Sequence, residues 1–181
     1  MARVTLPPKA QLSAQQQRLY DEFAGPRGGS IRGPFAIWLH TPPIAEGANK
    51  MAMALRINGQ LEKRLFELAV LLVIRRGLAQ FPWFVHRGAA VEAGLAPEVV
   101  DAIEARRTPT FAREDERVIY DLVNELVETK SLRQDSYQRG LNLLGREQLI
   151  ELVTVVGYYT MITMVVNSFD VDTPDGSRPL S

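Results

Sequence analysis

The sequence predicts an all-α fold, a compact helical bundle, on two observations. Apolar residues recur at helical spacing, as in Leu61, Leu65, Leu68 and Leu72 and again in Val118, Leu122 and Leu126. No run of alternating apolar and polar residues makes a convincing strand. A third observation sets the scale: 181 residues suit one domain, 1–181, long enough to bury a core without disulfides or a structural metal.

The elements follow in order. Residues 1–12 carry Pro7 and Pro8 and are expected to wrap the surface as an arm. Ser13 is placed to cap a helix over about 14–23, in which Leu19 and Phe23 share a face. Residues 24–34, AGPRGGSIRGP, form a loop; without Gly-Lys-Ser/Thr or a preceding strand it makes a poor phosphate cradle. Residues 35–40 read as a short helix stopped by Thr41-Pro42-Pro43, and 44–55 as the next, with Met51 and Leu55 on one stripe. A turn at 56–60, with Asn58-Gly59, leads into a central helix pair over 61–95. Gly77 breaks that pair, Pro82 suits the first turn of its second helix, and Gly94 ends it as a left-handed cap. Helices at about 97–105, 113–128, 134–144 and 146–166 complete the bundle, with a link at 106–111 that can serve as a hinge and Gly145 between the last two. The tail, 168–181, is irregular and expected to lie on a neighbouring subunit.

Composition narrows the partners. The 21 basic residues balance the 21 acidic ones, so no footprint for nucleic acid or an anionic membrane surface is present. Cysteine is absent and no signal peptide opens the chain, from which a cytoplasmic location is expected. Residues 149–166 carry one charge, Glu151, in an otherwise apolar run that would reach about 27 Å, near the lower limit of a membrane span. Glu151, three threonines, Gly157 and two tyrosines favour burial in protein instead, and a helix apolar nearly all round favours an oligomer.

The chemistry is concentrated in the central pair. Glu67 is the one charge in the apolar run 65–74 and must pair, reach a cavity or take up a proton. His86 lies nineteen residues on (86 − 67), three after Trp83. A buried carboxylate beside a histidine is the pattern of an acid–base site. The plainer alternatives are a core histidine bonded to a carbonyl and a glutamate paired with Lys63, Arg75 or Arg76. His40 is either at a pocket mouth or on the surface. Arg75 and Arg76 either clamp a substrate carboxylate or serve the dipole of a helix C-terminus. Tyr158 and Tyr159 either offer hydroxyls to a ligand or find partners in the core. No His-x-x-His or His-x-x-x-His spacing sets metal ligands on one helix face, so no metal is expected.

The same segment resembles the carboxymuconolactone decarboxylase and alkylhydroperoxidase-D-like superfamily. The residues that carry the resemblance are Glu67, Trp83, His86, Ala90 and Gly94-Leu95, and it extends to Gly33-Pro34-Phe35, Trp38-Leu39-His40, Pro43, Gly157-Tyr158-Tyr159 and Asn167-Ser168-Phe169, over roughly 30–172. Ala79 and Pro82 stand where the peroxidase branch has its Cys-x-x-Cys pair, which excludes thiol peroxidase chemistry because the thiolate is the nucleophile. Pro82 also stands where the decarboxylase-like branch usually has glutamate. The resemblance implies a trimer or hexamer and a cofactor-free decarboxylase-like enzyme acting on a small carboxylated or lactone-type substrate. His86 would donate the proton and Glu67 orient it, Trp83, Phe35 and Trp38 would wall the site, and Arg75 or a tyrosine would hold a second acid group. The alternative expectation is a catalytically silent oligomer that binds a small ligand or a partner.

Overall fold

Periodic apolar stretches become eight α-helices in the computed structural model, which describes residues 2–25 and 28–181: α1 (Ala14–Ala24), α2 (Pro34–Trp38), α3 (Pro42–Arg56), α4 (Lys63–Arg76), α5 (Gln80–Glu92), α6 (Pro97–Glu104), α7 (Glu114–Thr129) and α8 (Gln134–Ser168). No strand occurs among the described residues. Pro26 and Arg27, in the Gly/Pro loop, lie outside them.

α4 is the axis of the molecule. All twelve positions from Arg64 to Arg75 are buried, and the helix packs against α5, α6, α7 and α8. Burial on every side explains why its apolar run is continuous rather than confined to one stripe. α1 and α2 pack on α3, and α2 and α3 reach α8, which closes the bundle over α4.

Local chemistry fixes the ends. The Ser13 hydroxyl accepts from Gln16 N–H at 3.3 Å while Gln16 Oε1 accepts from Ser13 N–H at 3.0 Å, a reciprocal capping box that starts α1. Pro42 and Pro43 open α3 instead of merely stopping α2, because a proline in the first turn forfeits no helical hydrogen bond. Gly94, at φ +96, terminates α5 as expected. Gly145, at φ +71 and ψ 178, breaks α8 into the two expected segments.

The last part of α8 contains the apolar run 149–166. Leu152, Val155, Tyr159 and Val166 face the core, whereas Ile150, Val153, Met161 and Met164 are exposed. α8 is long and apolar enough to cross a membrane by length and composition, and half of its most apolar window is buried inside the protein. Glu151 is held by the fold: its Oε2 accepts from Gln60 N–H at 2.8 Å and Leu61 N–H at 3.1 Å, which fixes the entrance to α4. The tail also packs on its own chain. Gln80 exchanges two hydrogen bonds with the Leu180 backbone, at 2.7 and 3.0 Å, and Leu180 is buried. The arm meets it nearby, where Arg3 N–H donates to the Phe169 carbonyl at 2.9 Å.

Candidate active site

The short link after Gly77 sets α4 beside α5, and Glu67 and His86 meet between them: His86 Nδ1 lies 2.7 Å from Glu67 Oε2. Both are almost fully buried, at 4% and 2% exposure, so the alternative pairing of Glu67 with a lysine or arginine does not arise. On the other side of the ring, His86 Nε2 lies 3.3 Å from the Tyr159 hydroxyl, whose ring meets the imidazole edge-on at 5.2 Å. With Glu67 ionised, Nδ1–H donates to the carboxylate; a neutral imidazole then accepts from Tyr159 at Nε2, whereas an imidazolium donates Nε2–H to the Tyr159 oxygen and frees its O–H. The three side chains, from α4, α5 and α8, form one buried polar line.

That line opens on a cavity of about 480 Å³, lined by His86, Tyr158 and Tyr159, by Phe35, Phe81, Pro82, Val85 and Ile162, and by Arg32 and Arg56. Neither arginine has an ion-pair partner among the described residues. Burial pushes the Tyr159 hydroxyl well above the ordinary phenol value, and the charge of Glu67 adds to it while Arg56 opposes. Tyr159 is therefore a neutral O–H. Tyr158 donates to the Ala48 carbonyl at 3.0 Å, which turns its hydroxyl toward α3 and leaves its ring on the wall. Behind His86, Glu67 lines a second cavity of about 290 Å³ together with Arg56, Lys63 and Phe66. The pair thus spans the partition between two cavities.

Several sequence candidates stand elsewhere. Trp83 is fully buried in the core and does not line the cavity. Three residues of helix are 300° of turn, and the remaining 60° turns it away from the opening that His86 reaches. Trp38 packs behind Phe35, edge-on at 5.3 Å, and Phe35 alone of the two reaches the cavity. His40 is exposed beyond the end of α2. Arg75 is remote: its Nε donates to the Glu104 carbonyl at 2.8 Å and its Nη2 to the main-chain oxygen of Ser181 at 2.9 Å. The cations of this site are Arg32 and Arg56, one in the Gly/Pro loop and one at the end of α3, and nothing in the local sequence marks either. Among the described residues no group of three or more His, Asp or Glu side chains is arranged to hold a metal ion.

The architecture is shared with solved structures. A protein from Ralstonia eutropha, described as an alkylhydroperoxidase AhpD core and uncharacterized peroxidase-related protein, superposes with a TM-score of 0.77 over 96% of this chain and 93% of its own, at 16% identity. An uncharacterized peroxidase-related protein from Silicibacter sp. does so with the same TM-score over 97% of this chain and 93% of its own, at 15% identity. The chain has the AhpD-core fold. No protein-family model and no curated protein matches the sequence. Within this fold the chain has no cysteine, and Ala79 and Pro82 occupy the start of α5, where Pro82 contributes an apolar wall.

Proposed function

We propose that the protein is a cofactor-free acid–base enzyme of the carboxymuconolactone decarboxylase type, acting on a small carboxylated or lactone-type substrate. The observation that carries this reading is the Glu67–His86–Tyr159 line opening on a cavity with apolar walls and two unpaired arginines. In a decarboxylation the bond to the carboxyl carbon breaks, CO2 leaves, and the electron pair passes into a conjugated carbonyl as an enolate. A proton must then reach carbon. His86, protonated and held through Nδ1 by Glu67, delivers that proton from Nε2. Tyr159, kept neutral by burial, directs its O–H at the developing oxyanion. Arg56 and Arg32 hold a remaining acid group, a role that the sequence had suggested for Arg75. Phe35, Phe81, Pro82, Val85 and Ile162 shed water from the departing carboxylate.

The reading includes a homo-oligomer, a trimer or hexamer by the family resemblance, without nucleic acid or membrane and in the cytoplasm. The exposed apolar side of α8 supports association with a second copy.

CO2 release from a panel of small keto and lactone acids, 4-carboxymuconolactone included, tests the function. Release by the wild type that is lost in both Glu67→Gln and His86→Gln, with helicity unchanged, is expected; release that persists in His86→Gln would overturn the assignment. The second reading, a silent binding protein, is favoured by Pro82, which leaves the cavity without the acid usual at that position. It predicts no turnover of any compound together with a small acid retained on the purified protein.

A further inference from the structure

A third cavity, about 280 Å³, lies at the far end of α4 and is lined by Arg75, Arg76, Arg106 and Arg107, with Leu72, Ile103, Tyr120 and Asn124. No Asp or Glu lines it, and none of the four arginines makes an ion pair with a side chain among the described residues. Arg75 is the base of the cluster. It is 93% buried (7% exposed), its Nη1 is buried without a hydrogen-bond partner, and its other nitrogens reach only main-chain oxygens. Desolvation and the like charge of Arg106 weaken its hold on the proton, and Glu104, whose carboxylate is already taken by Arg87, only partly opposes them.

The competing account is that these arginines serve helix dipoles. Arg75 and Arg76 are in the last turn of α4, and Arg106 and Arg107 follow the end of α6. Two helix C-termini supply roughly half a negative charge each, about one in all, against four full positive charges. Counted with a terminal carboxylate at Ser181, which Arg75 holds at 2.9 Å, the negative charge comes to about two, and about two positive charges are left over. A protein of zero formal net charge that concentrates four guanidiniums at one concavity, one of them buried, has an anion site.

We infer that this cavity binds a small phosphate-bearing anion, a phosphate monoester with an apolar or aromatic body. Guanidinium forks match the several oxygens of a phosphate dianion, and more cations converge here than a single carboxylate can engage. The Tyr120 ring, tilted against Phe111 at 5.3 Å, offers an apolar surface beside the arginines for the organic part. Asn124 donates its Nδ2–H to the Tyr120 carbonyl, which leaves its Oδ1 to accept from a ligand hydroxyl. The site is separate from the Glu67–His86 pair, since Arg75 is eight residues (75 − 67), about 12 Å, further along α4.

Isothermal titration of the full chain with inorganic phosphate, phenyl phosphate and malonate tests this. Phenyl phosphate is expected to bind more tightly than phosphate, and phosphate more tightly than malonate. Arg76 and Arg107 are exposed, so Arg76→Gln/Arg107→Gln keeps the fold, checked by its melting temperature, and is expected to weaken phenyl phosphate by about tenfold or more. Arg56→Gln, at the other cavity, is expected to leave that affinity unchanged. A dissociation constant weaker than about 10 mM for both phosphates overturns the inference. So does equal binding by the double variant, loss confined to Arg56→Gln, or malonate binding as tightly as phosphate.

Discussion

In the proposed reaction, Tyr159 takes its role from its surroundings. Its hydroxyl, 2% exposed as a residue, faces His86 Nε2, and burial keeps it protonated across the working range. Tyr159→Phe removes one oxygen and little volume, so turnover is expected to fall by about 10²-fold, as for loss of an oxyanion donor, while the melting temperature moves by only a few degrees. Steady-state CO2 release beside a thermal melt reads both. Gly33 gives the opposite case, where the backbone decides. It sits at φ +62, and an added Cβ would lie 2.2 to 2.8 Å from the ring of Phe81. Gly33→Ala is therefore expected to cost about 1–3 kcal/mol in denaturant unfolding and to displace a wall of the cavity. Glu67 and His86 were legible in the sequence because a charge in an apolar run must have a partner. Arg32 and Arg56 were not, because a cation in a loop or at a helix end is ordinary until α2, α3 and α8 enclose a common space.

Elements are joined to α4 by polar contacts that carry more than registry. Arg64, buried, bridges Glu116 at 2.6 Å and Asp115 at 2.8 Å, both at the start of α7, and Glu62 at 3.0 Å. Arg64→Met leaves the buried Glu116 without a counter-charge and is expected to cost about 3–5 kcal/mol in urea unfolding, with partial recovery in Arg64→Met/Glu116→Gln. Hydrogen bonds from Arg113 and then Arg64 hold the Asp115 carboxyl well below the usual carboxylate range despite its partial burial. A carboxyl whose value is depressed by folding lends its stability above the unfolded value, near 4, and loses it as pH falls toward the folded one. Asp115→Asn should thus be less stable at neutral pH and show a shallower loss below about pH 4. The helices themselves were readable from period and punctuation. Their ends at 41–43 were not, since Pro42-Pro43 opens a helix as readily as it closes one. The docking of the tail on Gln80 depends on contacts one hundred residues apart, beyond any local signal.

At the scale of the whole molecule, the exposed side of α8 is the feature that the bundle leaves unfinished. Ile150 and Met164 are 61% and 63% exposed, with Val153 and Met161 between them. Such a face along one helix is self-complementary in a symmetric pair of copies. Met164→Glu is expected to lower the oligomer size in light scattering without loss of helicity, and a wild type already monomeric at assay concentration would remove the reason for it. The apolar composition of this helix is what made association an expectation from the sequence, and the count of copies has no counterpart in residue pattern.

On the proposed function, the position of Glu67 and His86 in the wall between two cavities has a kinetic meaning. A catalyst that gives up its proton in a dead-end chamber must wait for the product to leave before it is recharged. Here Nε2 faces the front chamber while Nδ1 is already protonated toward Glu67, so a proton entering from the rear chamber neutralises the carboxylate but does not refill Nε2. On the proposed function, product departure through the front chamber then precedes reloading, and the two are successive events rather than parallel ones.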